Sequence, residues 1–315
     1  MGHEVIAIDP AGRRVQVRSA DGERWESYDD LVIATGAEPM RPGIPGIHAE
    51  PVLGIQSLDD GTRMIGVLES MSPPTRAVVI GSGYIGLEVA EAMVRRGIDT
   101  TVIDQAQQPL GTHDPEMGAL VADAMRATGV KLAMGHPVDE IVTRNGRVVA
   151  VRAGDAEVPA DLVVLGMGVR ARSLLAREAG LPTGPGDAIM TDPSMQVIGH
   201  PDIWATGDCA ASHHRLLDEP VHIALGTHAN KQGWVCGRNL AGGDATFPGV
   251  IGTAITKICA REVSRTGLGE GFARERGWDV VAARITASTR AGYYPGATDI
   301  TVKMIADRPT RRIVG

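Results

Sequence analysis

Apolar residues follow three rhythms along this chain, and each rhythm predicts a different kind of element. Alternating runs open it. Val5-Ile6-Ala7-Ile8-Asp9 precedes a Pro-Ala-Gly turn, residues 14–18 alternate again, and Asp21-Gly22 is a hairpin-type turn. Continuous apolar runs predict buried strands at 31–34, 77–80, 100–104 and 160–166, with another strand over 202–208 that ends in a Gly-Asp turn. Helical spacing predicts helices over 58–70 (stopped by Pro73-Pro74), from Gly86 to Gly97, at 174–179 and at 225–240. A further helix carries Met117, Leu120, Val121 and Met125, with Asp114 as its cap and Pro115 in first position. Short strands follow at 130–133, 138–143 and 147–152, the last two joined by an Asn145-Gly146 type I′ turn. Beyond Phe247-Pro248-Gly249 the sequence is rich in hairpins, with strands at 254–258, 280–285 and 300–305. Ile313-Val314-Gly315 reads as an unfinished hairpin.

Residues 77–104 carry the densest signal. A buried strand runs into Gly81-Ser82-Gly83-Tyr84-Ile85-Gly86-Leu87-Glu88, a helix follows, and a second strand ends on Asp104. In such a unit Gly81 permits the tight turn and Gly83 lets backbone approach a pyrophosphate. Gly86 lets the helix pack close on its strand, and the helix N-terminus faces the phosphates. Asp104 is placed to accept hydrogen bonds from a ribose 2′-OH. No Arg or Lys stands beside it to meet a 2′-phosphate, so the cofactor predicted here is NAD(H) rather than NADPH.

Composition narrows the class. With 315 residues the chain is long enough for two or three domains with cores of their own. A formal charge of −7 argues against nucleic acid or an acidic membrane surface as a partner, and no apolar run approaches membrane-spanning length. The three cysteines, Cys209, Cys236 and Cys259, form no Cys-x-x-Cys and no even framework, which predicts a reducing cytoplasm. Cys209 follows Gly-Asp with no second thiol or base beside it, so a packing role is expected for it and for the other two. His213-His214, His222 and His228 have no ligand spacing, so no metal is predicted.

Separated motifs now point to one family. They are Leu31-Val32-Ile33-Ala34-Thr35-Gly36-Ala37, the unit from Gly81 to Glu88, and Ala205-Thr206-Gly207-Asp208. The run from Ile223 to Gly233, the run from Phe247 to Thr253, Arg265-Thr266-Gly267-Leu268 and Ala291-Gly292-Tyr293-Tyr294-Pro295-Gly296 add to them. Together they resemble the FAD-dependent pyridine nucleotide-disulfide oxidoreductases, in the branch holding NADH oxidase, NADH peroxidase and coenzyme A-disulfide reductase. The resemblance implies an α/β fold with two Rossmann-like dinucleotide-binding domains and a partial α+β dimerisation domain. An incomplete FAD domain would comprise residues 1–58 and 192–245. The NAD domain, 59–191, would be inserted into it, and 246–315 would form the dimerisation domain.

The resemblance also assigns roles. Val5, Ala34, Thr35, Gly36, Asp208, Ala224 and Gly226 would line FAD. Gly81, Ser82, Gly83, Tyr84, Ile85, Gly86, Glu88, Asp104, Gly168 and Leu225 would serve NAD(H). Tyr293 and Tyr294 would approach a small-molecule substrate across a homodimer. His113 falls where some relatives carry a nucleotide-contacting Tyr and is given no role. Hydride would pass from NADH to flavin and on to a disulfide, peroxide or oxygen. Relatives open with a glycine fingerprint of their own for the FAD pyrophosphate, followed by a redox cysteine, and neither precedes Ala34-Thr35-Gly36 here. The expectation is therefore a chain truncated at both ends, with Met1 an internal start. Two other readings stay open: a ferredoxin- or rubredoxin-type NADH reductase, and a non-catalytic NAD-binding fragment that cannot hold FAD.

Overall fold

The computed structural model describes residues 2–73 and 75–315; Met1 and Pro74, which carry the expected internal start and half of the Pro-Pro stop, lie outside them. The chain divides into two compact units. One comprises Met1–Pro42, Gly54–Glu69 and Met167–Val250, the other Gly43–Leu53, Ser70–Gly166 and Ile251–Gly315. Residues 59–69 and 167–191, which the resemblance places in the NAD domain, group by packing with the first unit. The strand Val169–Ala171 pairs with Ala37–Pro39, and Ile189 sits in that unit's core.

In the first unit the alternating opening becomes an antiparallel meander of Glu4–Asp9, Arg14–Ser19 and Gly22–Ser27. Next to it in sequence, Leu31–Ile33 runs parallel to His200–Ala205, with Ile203 opposite Leu31 and Ala205 opposite Ile33. Ile33, Ile203, Ala205, Cys209, Val235 and Cys236 belong to one apolar core, to which the helix Gly226–Leu240 contributes its buried face. Burial of this kind stabilises by roughly 25 cal/mol per Å² of apolar surface removed from water.

The second unit is built on a five-stranded sheet in the order Val52–Gly54, Leu162–Leu165, Arg76–Ile80, Asp99–Asp104, Lys131–Met134. The last four are parallel. Val78, Val79, Val102, Ile103, Val163 and Val164 have no exposed surface, as continuous apolar runs require of strands covered on both faces. Asn145 and Gly146 both have positive φ, 52° and 75°, as a type I′ turn demands.

The structure corrects one of these expectations. Asp114 occupies the N-cap position of the helix Pro115–Ala127, yet its side chain makes no capping bond there. Its carboxylate instead accepts hydrogen bonds from the amides of Glu270 (3.1 Å) and Gly271 (3.3 Å), at the start of the helix Glu270–Glu275, and pairs with Lys303 at 2.9 Å. It caps a helix distant in sequence because a buried ammonium holds it there. Ile313-Val314-Gly315 folds back antiparallel on the strand Asp299–Asp307, with Ile313 bridged to Ala306 and Val314 N donating to Ile305 O, while Val314 O accepts from Leu268 N.

Candidate functional site

In the second unit the glycine motif has the geometry its spacing predicts. Gly81 adopts φ +102°, which only glycine tolerates readily. A Cβ on Gly86 would lie 2.0 Å from the Gly81 carbonyl oxygen and 3.4 Å from Val79 Cγ1, so helix and strand touch where a side chain would stand. At Gly83 the nearest atom to such a Cβ is 3.8 Å away, and this residue is exposed, leaving its backbone open to a ligand. The helix Tyr84–Arg95 starts at Gly83 with no side-chain cap, so its first amides keep their donors for an anion.

Asp104 braces the loop from the end of its strand. Its Oδ2 accepts from Ser82 N and Ser82 Oγ, both at 2.6 Å, and its Oδ1 accepts from Ala106 N at 2.9 Å. A carboxylate has about four lone-pair sites, so Oδ1 retains capacity for a ribose hydroxyl. Ser82 is 1% exposed, and its contact with Asp104 is a support that the motif alone does not announce. Ile85 stands half-buried in the helix's first turn. Glu88 faces outward, and its carboxylate accepts from Thr256 Oγ1 at 2.5 Å. These residues form a cradle that fits a dinucleotide pyrophosphate. Gly168 and Leu225 lie in the first unit, Gly168 with φ +91° and its carbonyl bonded to Met40 N, Leu225 at the N-cap of the helix Gly226–Leu240.

The flavin-side residues of the first unit come together through strand pairing. Leu31–Ile33 and His200–Ala205 are parallel neighbours, and Thr206 N donates to Ile33 O at 3.1 Å. The turns Ala34-Thr35-Gly36 and Thr206-Gly207-Asp208 therefore leave the sheet side by side. Gly36 and Gly207 adopt φ +71° and +79°. Thr35 Oγ1 donates to Arg172 O at 2.5 Å, and Arg172 N donates to Gly36 O at 2.9 Å.

Three further residues hold this site. Gln232, 2% exposed, accepts from Gly207 N at 2.9 Å and donates to Ser212 Oγ at 3.0 Å. Gln56 Nε2 donates to Asp208 Oδ2 at 3.3 Å, and His222 Nε2 lies 2.8 Å from Asp208 O. Through His222 the stretch carrying Ala224 and Gly226 is tied to Asp208. The helix Gly226–Leu240 begins exposed and without a side-chain cap. Its positive end suits a partly anionic group, so these residues fit the head and chain of a flavin nucleotide. Val5 stands apart on the meander, 37% exposed.

The remaining candidates have other placements. Cys209 is fully buried, with Sγ 3.4 Å from Ile33 O and 3.3 Å from Thr206 O; Cys236 and Cys259 are also buried and unpaired. His214 spends Nδ1 on the amides of Leu216 and Leu217. Tyr293 and Tyr294 are 89% and 59% exposed in the turn between Val280–Ser288 and Asp299–Asp307. On one face of that ribbon Val281, Ile285, Ile300, Val302 and Met304 are each more than a third exposed. The opposite face turns Lys303 and Ile305 inward. No helix among the described residues is long and apolar enough to cross a membrane.

A glycine-turn dinucleotide cradle in one unit and paired glycine turns in the other define a two-nucleotide α/β protein. Comparison with known proteins makes this specific. The model of the pyridine nucleotide-disulphide oxidoreductase family matches residues 1–233, and the model of that family's dimerisation domain matches residues 253–315. The chain belongs to this family, whose members are oxidoreductases using FAD and NAD(P)H. A CoA-dependent NAD(P)H sulfur oxidoreductase of Pyrococcus abyssi is 36% identical over 316 residues, covering 99% of this chain and 69% of that protein. An NADH oxidase of Methanocaldococcus jannaschii is 35% identical over 303 residues, covering 96% and 67%. The solved NAD-dependent persulfide reductase from A. fulgidus superposes with a TM-score of 0.94 at 36% identity, covering 99% of this chain. This chain spans 57% of the length of that reductase. The matches take in nearly all of this chain and between 57% and 69% of the relatives' own lengths.

Proposed function

We propose that this chain binds NADH and FAD and serves an oxidoreductase that delivers electrons to a small disulfide, persulfide, peroxide or oxygen acceptor. The observation that carries the reading is the open, uncapped helix start at Gly83 and Tyr84 with Asp104 bonded into the same loop. Gly81, Ser82, Gly83, Tyr84, Ile85 and Gly86 would hold the NADH pyrophosphate, Asp104 the ribose hydroxyls, and Glu88 the nicotinamide side. Ala34, Thr35, Gly36 and Asp208 would hold FAD, joined by Val5, Ala224 and Gly226. Bound there, FAD would supply a two-electron acceptor for the hydride of NADH.

The protein's own part is orientation and charge. The positive end of the helix Gly226–Leu240 favours negative charge beside it by about 0.3–1 kcal/mol. Asp104 selects hydroxyls over a 2′-phosphate by repulsion between like charges. Partner and location belong to the same proposal. The exposed apolar face of the ribbon Val280–Ser288 and Asp299–Asp307 suits a second copy of this chain, with Tyr293 and Tyr294 carried toward the partner's substrate side. Three unpaired cysteines suit a reducing cytoplasm.

The test is the absorbance spectrum of the purified chain, followed by anaerobic NADH addition. A flavin band that NADH bleaches supports the reading, and acceptors are then screened. A colourless protein that binds NADH but cannot be loaded with FAD overturns the flavin half and leaves an NAD-binding protein.

A further inference from the structure

Four buried polar atoms without a hydrogen-bond partner among the described residues gather at one place in the second unit. They are the Tyr84 hydroxyl, both ring nitrogens of His113, and Nε of Arg265. Buried polar groups are nearly always paired, so four orphans on three neighbouring side chains mark an unusual site. The three residues come from three segments. Tyr84 opens the fingerprint helix, His113 lies at the end of the loop that leaves Asp104, and Arg265 closes the strand Arg261–Arg265. The Tyr84 and His113 rings meet edge to face, with centroids 6.2 Å apart and planes at 73°. Arg265 anchors the group: its Nη1 donates to Thr112 O at 2.8 Å, and its guanidinium acts electrostatically on both rings.

The loop that carries His113 is held on two sides. Toward the fingerprint, Leu110 N donates to Ser82 O at 2.9 Å, while Asp104 binds Ser82 and Ala106. Toward the C-terminal segment, Thr112 is held by Arg265, and Asp114 by Lys303 and the amides of Glu270 and Gly271. The ring of Tyr84 is thus packed on His113, and Gly83 beside it stays exposed.

We propose that Arg265 is a positioning residue for the dinucleotide site: acting through Thr112 and His113, it keeps the Tyr84 ring packed against the loop and so keeps the first turn of the fingerprint helix open. Without Arg265 the Tyr84 ring loses its clamp and gains rotamers that cover Gly83. The imidazole suits this role as an uncharged packing surface. Burial, reinforced by Arg265 and opposed by Asp114, pushes its pKa down to about 4. The proposal rests on the reading of residues 81–104 as an NADH site.

The experiment titrates NADH into the full chain by nucleotide fluorescence, with a thermal melt of every variant. Arg265→Ala is expected to weaken NADH binding about tenfold, and Arg265→Lys to recover part of the loss. The decisive variant is Tyr84→Ala placed in the Arg265→Ala background. It should bind NADH more tightly than Arg265→Ala alone, because the ring that closes the site is gone. A purely structural role for Arg265 would not be rescued by deleting a further contact. Unchanged binding in Arg265→Ala, or no rescue in the double variant, overturns the proposal. If Arg265→Ala does not fold, Arg265→Gln carries the same pair of measurements. The NADH-site reading fails separately, if wild type does not bind NADH or if Gly83→Val binds it as well as wild type.

Discussion

The nucleotide cradle of the second unit and the flavin-side turns of the first use the same parts: a parallel strand, a glycine turn and an uncapped helix start. They differ in assembly. The cradle is contiguous, from Arg76–Ile80 through the glycine loop to Asp104, and the bonds that brace its loop from within link residues 22 apart, as between Ser82 and Asp104, while Glu88 reaches a distant partner in Thr256. The flavin side gathers Thr35, Gln56, Asp208, His222 and Gln232, and among its supports Gln56 reaches Asp208 across 152 residues. The difference teaches where each site is vulnerable. A contiguous unit fails at one glycine, whereas a dispersed one fails by losing the side chains that tie its segments together.

The sharpest test of that contrast is Gly86→Leu against Gly36→Ala. A side chain at Gly86 meets backbone at 2.0 Å, so loss of the folded second unit or more than a hundredfold weaker NADH binding is expected by melting and titration. At Gly36 nothing lies within 4 Å of a Cβ, so only the positive φ resists, at about 1 kcal/mol.

Lys303→Met comes next. The ammonium, with 8% of its side chain exposed, contacts Asp114 (2.9 Å), Glu116 (2.6 Å) and Glu270 (2.8 Å). Burial lowers its pKa, but the hydrogen bonds it donates to these three carboxylates raise it well above the ordinary lysine value. Stranding the carboxylates should cost about 3–5 kcal/mol in denaturant unfolding. The paired double variant Lys303→Met/Asp114→Asn should recover part of it.

A reciprocal pair addresses function directly. Asp208→Ala should lose retained flavin about tenfold or more while leaving NADH affinity near wild type, and Asp104→Ala should do the reverse and narrow the preference for NADH over NADPH. Flavin absorbance and nucleotide titration read both. If either variant moves both ligands equally, the two sites are not separable as described.

Gln232→Leu sharpens the account of the dispersed site. It strands Gly207 N and Ser212 Oγ and should cost about 1–3 kcal/mol in thermal or denaturant unfolding.

The shallowest effect is one of pH. His113 has a folded pKa below its unfolded value, so its contribution to stability is full above about pH 6.5 and is lost as pH falls toward 4. Between pH 7 and 5.5 the loss should be about 1 kcal/mol in the thermal stability of wild type, and it should be absent in His113→Phe.

The comparison also marks what could be read in advance. The second unit's strand, glycine turn, helix and acid were legible because hydrogen bonds of a βαβ unit follow spacing along the chain. The packing roles of Cys209 and Cys236 were legible as well, since neither has a base or second thiol beside it in the sequence. The turns at Thr35-Gly36 and Gly207-Asp208 were visible as motifs, but the bonds made by Gln56, His222 and Gln232 could not be read, because their partners lie in other segments. Asp114 was misread because its position matches a cap, while its carboxylate is drawn to Lys303 and the amides of another helix.

By itself, the sequence determined the rhythm of strands and helices, the glycine turns and the acid at Asp104, because these depend on local backbone geometry and on residues a few turns apart. Only the tertiary structure decided that Leu31–Ile33 lies beside His200–Ala205 and that Tyr84, His113 and Arg265 share one buried place. Such pairings arise when distant segments bury apolar surface together, and their polar groups must then find partners among whatever residues that burial brings within reach.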